Sequence, residues 1–159
     1  MQETNAKLEI WIDGDACPRD IKEMVYKSAQ RTGVIVHYIA NRPHQLPRFS
    51  FLRSHVVSRD PDAADDHIVE NIHSGDIVIT SDIPLAHAAL QKSAAVISPR
   101  GENYTMANIG DRLATRNLME QLRQTGLVTG GPPEFGVKEK KNFAAIFDRL
   151  LTKGIQAAL

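Results

Sequence analysis

The stretch Leu8-Glu9-Ile10-Trp11-Ile12-Asp13-Gly14-Asp15-Ala16-Cys17-Pro18 constrains this chain more than any other. Its apolar run, Leu8 to Ile12, reads as a buried strand, breaks on two acids separated by one glycine, and leads to a proline suited to opening a helix. The spacing predicts a helix over 19–32, with Ile21, Met24, Val25 and Ser28 near one face, Ala29 beside them, and Gly33 just past the end. Val34 to Ala40 is rich in β-branched residues and reads as a second buried strand. Strand, helix, strand in that order is a βαβ unit, which implies a parallel sheet and a right-handed crossover. The expected fold is therefore α/β: a three-layer sandwich around a mostly parallel central sheet.

The rest of the chain extends this pattern. Residues 41–53 hold Pro43 and Pro47 and read as irregular, with a short strand at His55 to Ser58. Asp60-Pro61-Asp62 is a turn feeding a helix from about Ala63 to His73, ended by Gly75. Asp76 to Thr80 is another buried strand, Ser81-Asp82-Ile83-Pro84 a strand-to-helix turn, and the following helix runs to about Lys92. Ala95 to Ile97 is a short final strand and Ser98 to Tyr104 a loop. Thr105 then caps a long helix to about Gln124. The 159 residues are expected to form a single domain, 1–159, in which 126–159 supply a glycine- and proline-rich loop and a helix over 138–153. That helix carries Phe143, Ile146, Phe147 and Leu150 on its apolar face and is expected to lie on the core.

Lys and Arg total 19, as do Asp and Glu, so net charge does not mark a general nucleic-acid binder. An acidic metal centre balanced by a basic rim gives the same total. Cys17 is the only cysteine, which excludes an internal disulfide and fits a reducing cytoplasm. No apolar run approaches the roughly 20 residues of a membrane-spanning helix, and Met1 to Asn5 lacks the start of a secretory signal. A cytoplasmic location without membrane contact is expected.

Three pieces of chain supply acids to one edge of such a sheet. Asp13 and Asp15 follow the first strand, Asp82 follows the strand ending at Thr80, and Asp62, Asp65 and Asp66 open the helix between them. Ligands of open α/β sheets sit at the carboxyl ends of the strands. Asp65 shares the side of Ile68 and Ile72, so it is the acid that most needs a partner, whereas Asp66 lies about 100° round the helix. Asp62 is accounted for by the helix dipole alone. Carboxylates gathered there call for a hard cation with oxygen preference, Mg²⁺ or Mn²⁺. The chemistry expected is metal-assisted hydrolysis of a phosphate ester, with Asp13, Asp65, Asp66 and Asp82 as metal ligands and Asp15 beside them. Thr80 and Ser81 read as caps that can also hydrogen-bond a carboxylate or a metal-bound water.

These residues also carry a resemblance. Asp13-Gly14-Asp15-Ala16-Cys17-Pro18, Ala64-Asp65-Asp66, Ile79 to Ala86, Pro99 to Thr105 and Thr129-Gly130-Gly131-Pro132-Pro133 resemble, in order, the motifs of the YaiI/YqxD family of bacterial proteins, over about residues 9–150. Gly14 stands where that family commonly has alanine. The pattern is in turn similar to PIN-like nucleases, with an aspartate after the first strand, acids on a central helix and a Thr/Ser-x-Asp turn opening a helix. That similarity implies a PIN-like sheet, Asp13, Asp65 or Asp66, and Asp82 as metal-site positions, and nucleic acid as substrate, with RNA favoured over DNA.

Arg42, Arg48 and Arg53 interleave with His44, Phe49 and Phe51, a mixture that suits single-stranded nucleic acid if the aromatics are exposed and a plain core edge if they are not. Arg100, in a loop after a strand, is a candidate phosphate contact, as is Arg48. Arg112 and Arg116 are equally suited to surface ion pairs. Cys17 reads as packing: a cysteine phosphatase wants arginine six residues on, where Glu23 stands. His67 and His73 read as surface residues, and no zinc ligand spacing occurs. Two other readings stay open. A haloacid-dehalogenase-type phosphatase also starts from Asp-x-Asp after a strand, but places its Ser/Thr strand before its later acids. A non-catalytic nucleic-acid-binding module would keep the fold without turnover. A homo-oligomer is compatible with either.

Overall fold

The computed structural model describes residues 8–127, 129–131 and 134–158. Residues 1–5, read above for a signal, and Pro132-Pro133 of the last motif lie outside the described residues. Among the described residues six strands form one sheet: β1 (Glu9–Asp13), β2 (Ile35–Ala40), β3 (Leu52–Val56), β4 (Ile77–Ile79), β5 (Ala95–Ile97) and β6 (Asn103–Tyr104). Their order is β3-β2-β1-β4-β5-β6; β1 to β5 run parallel, and β6 pairs with β5 antiparallel.

Both faces of this sheet are covered, which is why its central strands are continuously apolar rather than alternating. Ile10, Ile12, Val36, Tyr38, Ile77 and Ile79 meet α1 (Arg19–Thr32) and α5 (Val137–Ala158). Helix α1 contributes Ile21 and Val25, and α5 contributes Phe143, Phe147 and Leu151 at four-residue steps. On the other face Trp11, Ile39, Val78 and Val96 meet Ile68 of α2 (Ala63–Asn71), Leu85, Ala86 and Ala89 of α3 (Ile83–Gln91), and Ile109 of α4 (Ile109–Gln124). Helices, sheet, helices make a three-layer sandwich. No helix among the described residues is long and apolar enough to cross a membrane.

The strand order places a switch point between β1 and β4. The chain leaves β1 through α1 toward β2 on one side, and leaves β4 through α3 toward β5 on the other. A crevice opens where two such crossovers diverge, outside the carboxyl ends of the strands. Asp13 ends β1, and Thr80 follows β4 directly.

Four sequence expectations need correction. The strand expected at His55 to Ser58 is β3, Leu52–Val56, so it begins inside the segment read as irregular. Its side chains are half-exposed or exposed throughout, and an edge strand without a buried face gives little apolar signal. Ala95 to Ile97 is not the last strand, because Asn103–Tyr104 adds a short antiparallel edge. The long helix starts at Ile109 rather than at Thr105: Thr105 and Asn108 bond each other's amides through their side chains in a preceding turn. His67 is partly buried, its ring 5.1 Å from that of His55.

Candidate acidic centre at the strand ends

Pairing of Ile12 with Ile79 sets the next residues of both strands, Asp13 and Thr80, side by side. The Thr80 hydroxyl donates to Asp13 Oδ2 at 2.9 Å and accepts from the Asp82 amide at 3.0 Å. Asp82 is the N-cap of α3, with Oδ1 accepting from Leu85 N–H at 2.9 Å and Pro84 in the first turn. One buried hydroxyl, 1% exposed, thus fixes two acids from separate strands. Burial raises the Asp13 carboxyl above its ordinary value, and the charges of Asp82 and Asp15 push the same way against the Thr80 hydrogen bond.

Asp65 completes the group from the first turn of α2. Its carboxyl is raised to about 7, first by burial, then by the charges of Asp82 and Asp13, then by a hydrogen bond to Asp82, with a smaller effect of Asp62. Asp65 is thus about half protonated near neutrality. The three acids expected from three distant segments share one field.

The other expected residues are placed differently. Asp66 is exposed on α2, and its side chain joins none of the other acids by a hydrogen bond among the described residues. Asp62 has left-handed backbone (φ 69°) and makes no side-chain cap bond, so its link to the helix is through charge and its carbonyl, which accepts from Asp66 N–H. Asp15 turns toward the segment after β2, accepting from Asn41 N–H at 2.9 Å and meeting His44 Nε2 at 3.1 Å and Arg42 Nε at 3.9 Å. Desolvation opposes its ionisation, but the Asn41 amide, the His44 bond, and the charges of His44 and Arg42 outweigh it and hold the carboxyl low. Ser81 is exposed. The Arg100 guanidinium lies over the Phe135 ring, 5.7 Å from its centroid, facing the approach to α5. Arg48 lines a depression beside Phe49 and Phe51. Arg112 and Arg116 form ion pairs with Glu102 (2.6 Å) and Glu120 (3.6 Å).

Two contacts could not be read from the sequence, one at the centre and one at the opposite end of the same strands. His44 closes Asp15 against the loop. Asp76, 2% exposed, accepts from Glu9 N–H, Trp11 Nε1–H and His73 N–H, and so ties β1 to the start of β4. An acid at the head of an apolar run looks like a turn residue, so only the unusual burial reveals it.

Among the described residues no three His, Cys, Asp or Glu side chains stand as a ready-made metal cage. The donor chemistry of Asp13, Asp65 and Asp82, all carboxylate oxygen, is nevertheless that of a hard divalent cation.

A family model described as "Uncharacterized BCR, YaiI/YqxD family" matches residues 11–153, which include every strand residue from Trp11 on and all three acids. The chain belongs to the YaiI/YqxD family. Relatives of this YaiI/YqxD member extend over nearly the whole chain. A UPF0178 protein of Trichlorobacter lovleyi is 46% identical over 151 residues, 95% of this chain and 98% of the relative. One from Thioalkalivibrio sulfidiphilus is 47% identical over 146 residues, covering 92% and 99%. One from Pseudomonas fluorescens is 45% identical over 146 residues, covering 92% and 97%.

Proposed function

We propose that this YaiI/YqxD member is a metal-dependent hydrolase of nucleic-acid phosphodiesters, with RNA the favoured substrate. The observation that carries the reading is the Thr80 hydroxyl, which donates to the Asp13 carboxylate and accepts from the Asp82 amide, so that two acids from separate strands meet beside Asp65. Carboxyl groups are costly to assemble where they repel one another, and a divalent cation turns that repulsion into attraction. Asp13, Asp65 and Asp82 hold Mg²⁺ or Mn²⁺ in this reading. The ion supplies a water of lowered pKa and a Lewis acid for the phosphoryl oxygens.

The chain's own residues do the rest. Thr80 keeps Asp13 oriented, and the α3 cap holds Asp82 through its Oδ1. Asp15, with His44, braces the rim, where Asp66 and Ser81 are exposed. Arg48 and Arg100 are the candidate phosphate contacts. Likeness in pattern to PIN-like nucleases supports the same assignment, as an analogy of fold.

The test is cleavage of end-labelled single-stranded RNA and DNA with Mg²⁺ or Mn²⁺. Cleavage abolished by EDTA and lowered at least 100-fold by Asp82→Asn is expected. No cleavage of any such substrate by the folded protein would overturn the reading. The lack of a ready-made metal cage among the described residues favours one second reading, a non-catalytic nucleic-acid-binding module, whose binding would persist unchanged in EDTA without turnover.

A further inference from the structure

Helix α1 leaves an open groove between itself and the segment that links β2 to β3. The groove has a volume of about 640 Å³ and is walled by Lys22, Tyr26 and Lys27 of α1 and by His44, Leu46 and Phe49 of the linking segment. A second depression of about 390 Å³ shares Gln30 and Phe49 with it and adds Arg48 and Phe51. Both lie against α1 and share those two lining residues. His44, in the wall of the larger one, has its Nε2 3.1 Å from Asp15, two residues from Asp13.

Two independent features point to a ligand. The first is cationic: Lys22 is held in place by its bond to the Tyr38 hydroxyl at 2.7 Å, while Lys27 and Arg48 form no ion pair among the described residues. Glu23, the acid in the wall, is engaged by Arg19 at 3.6 Å. The second is aromatic: Phe49 is 36% exposed, large and apolar, and stacks on Phe51 with centroids 4.8 Å apart.

We infer that this groove binds single-stranded nucleic acid, phosphates against Lys22, Lys27 and Arg48, and a base against Phe49. Successive cations beside an exposed aromatic are what a flexible strand with unstacked bases requires. That the strand then runs past His44 to the acids rests on the hydrolase reading; the binding does not.

The experiment is fluorescence anisotropy of a labelled oligouridylate of about ten nucleotides, long enough for a typical single-strand site, titrated in EDTA at several salt concentrations. Lys27→Glu/Arg48→Glu is expected to weaken binding at least tenfold and to lower the salt slope by about 1.4, roughly 0.7 for each lost phosphate contact. Phe49→Ala weakens it about tenfold. No binding by the natural protein in EDTA at low salt, or groove variants that bind as tightly as it does, would each overturn the inference. Binding lost in the groove variants, without any cleavage by the natural protein, would uphold the groove and sink the hydrolase. Cleavage that the groove variants leave untouched would do the reverse.

Discussion

The Thr80 hydroxyl lies 2.9 Å from Oδ2 of Asp13, across 67 residues of chain. Because it also accepts from the Asp82 amide, a single side-chain oxygen couples the carboxyl end of β1 to the N-terminus of α3. The acidic centre is thus oriented by the sheet itself. Thr80→Val keeps the shape and removes the hydroxyl, leaving Asp13 Oδ2 and the Asp82 amide short of a partner. A loss of about 1–3 kcal/mol is expected in urea unfolding, with Thr80→Ser recovering most of it. Equal stability of the Val and Ser variants would contradict this role.

Asp65 stands between stability and function. Its carboxyl titrates at about 7 in the fold against an ordinary 3.8, because of burial and then the charges of Asp82 and Asp13. Between those values the folded protein binds a proton that the unfolded chain has lost. The contribution is therefore complete below about pH 4 and lost as pH rises through about 7. Asp65→Asn needs no proton to be neutral. It is expected to leave Tm unchanged at pH 4 and to raise stability at pH 8 by about 1–2 kcal/mol, a figure reduced for the partial exposure of the site. A lower Tm for the variant at pH 8 would show that the ionised Asp65 is not strained.

Asp76 is expected to matter more for folding than any acid of the centre. Three donors, the Glu9 and His73 amides and the Trp11 indole, converge on it in a buried setting. Asp76→Ala leaves all three unpaired and should cost about 3 kcal/mol or more in guanidinium unfolding. Asp76→Asn, which keeps one good acceptor oxygen, should cost less than half as much.

Cys17 sits near the start of α1, where a reactive thiolate is often found, yet burial raises its thiol to about 12, with only partial relief from Lys22. Labelling by a thiol-specific disulfide reagent at pH 8 should be at least 100-fold slower in the folded protein than in denaturant. Equal rates would show that the residue is accessible.

The legible parts of this fold were those with two signals in agreement. Helix α1 was readable to its ends, because Pro18 and Gly33 bracket a clear apolar face, and Gly33 adopts the left-handed backbone (φ 80°) that a helix end favours. The central strands were readable because burial on both faces makes them continuously apolar. β3 and β6 were not: β3 is an edge with exposed side chains, and β6 is two residues long. At the site, Asp65 could be distinguished from Asp66 by its place on the stripe of Ile68 and Ile72, and their opposite exposure follows. The turn of Asp15 toward His44, and the groove beside α1, could not be read. Lys22, Tyr26 and Lys27 look like an ordinary solvated helix face until the segment from Arg42 to Phe51 folds against them.

Calorimetric titration of Mn²⁺ into the natural protein and into Asp13→Asn/Asp82→Asn, both first shown to be folded, decides whether the strand-end acids hold a metal. Saturable binding by the natural protein at neutral pH, with proton release from Asp65, and a loss of at least 100-fold in affinity in the double variant are expected. Absence of binding to the folded natural protein, or equal binding by the variant, would contradict a metal site there.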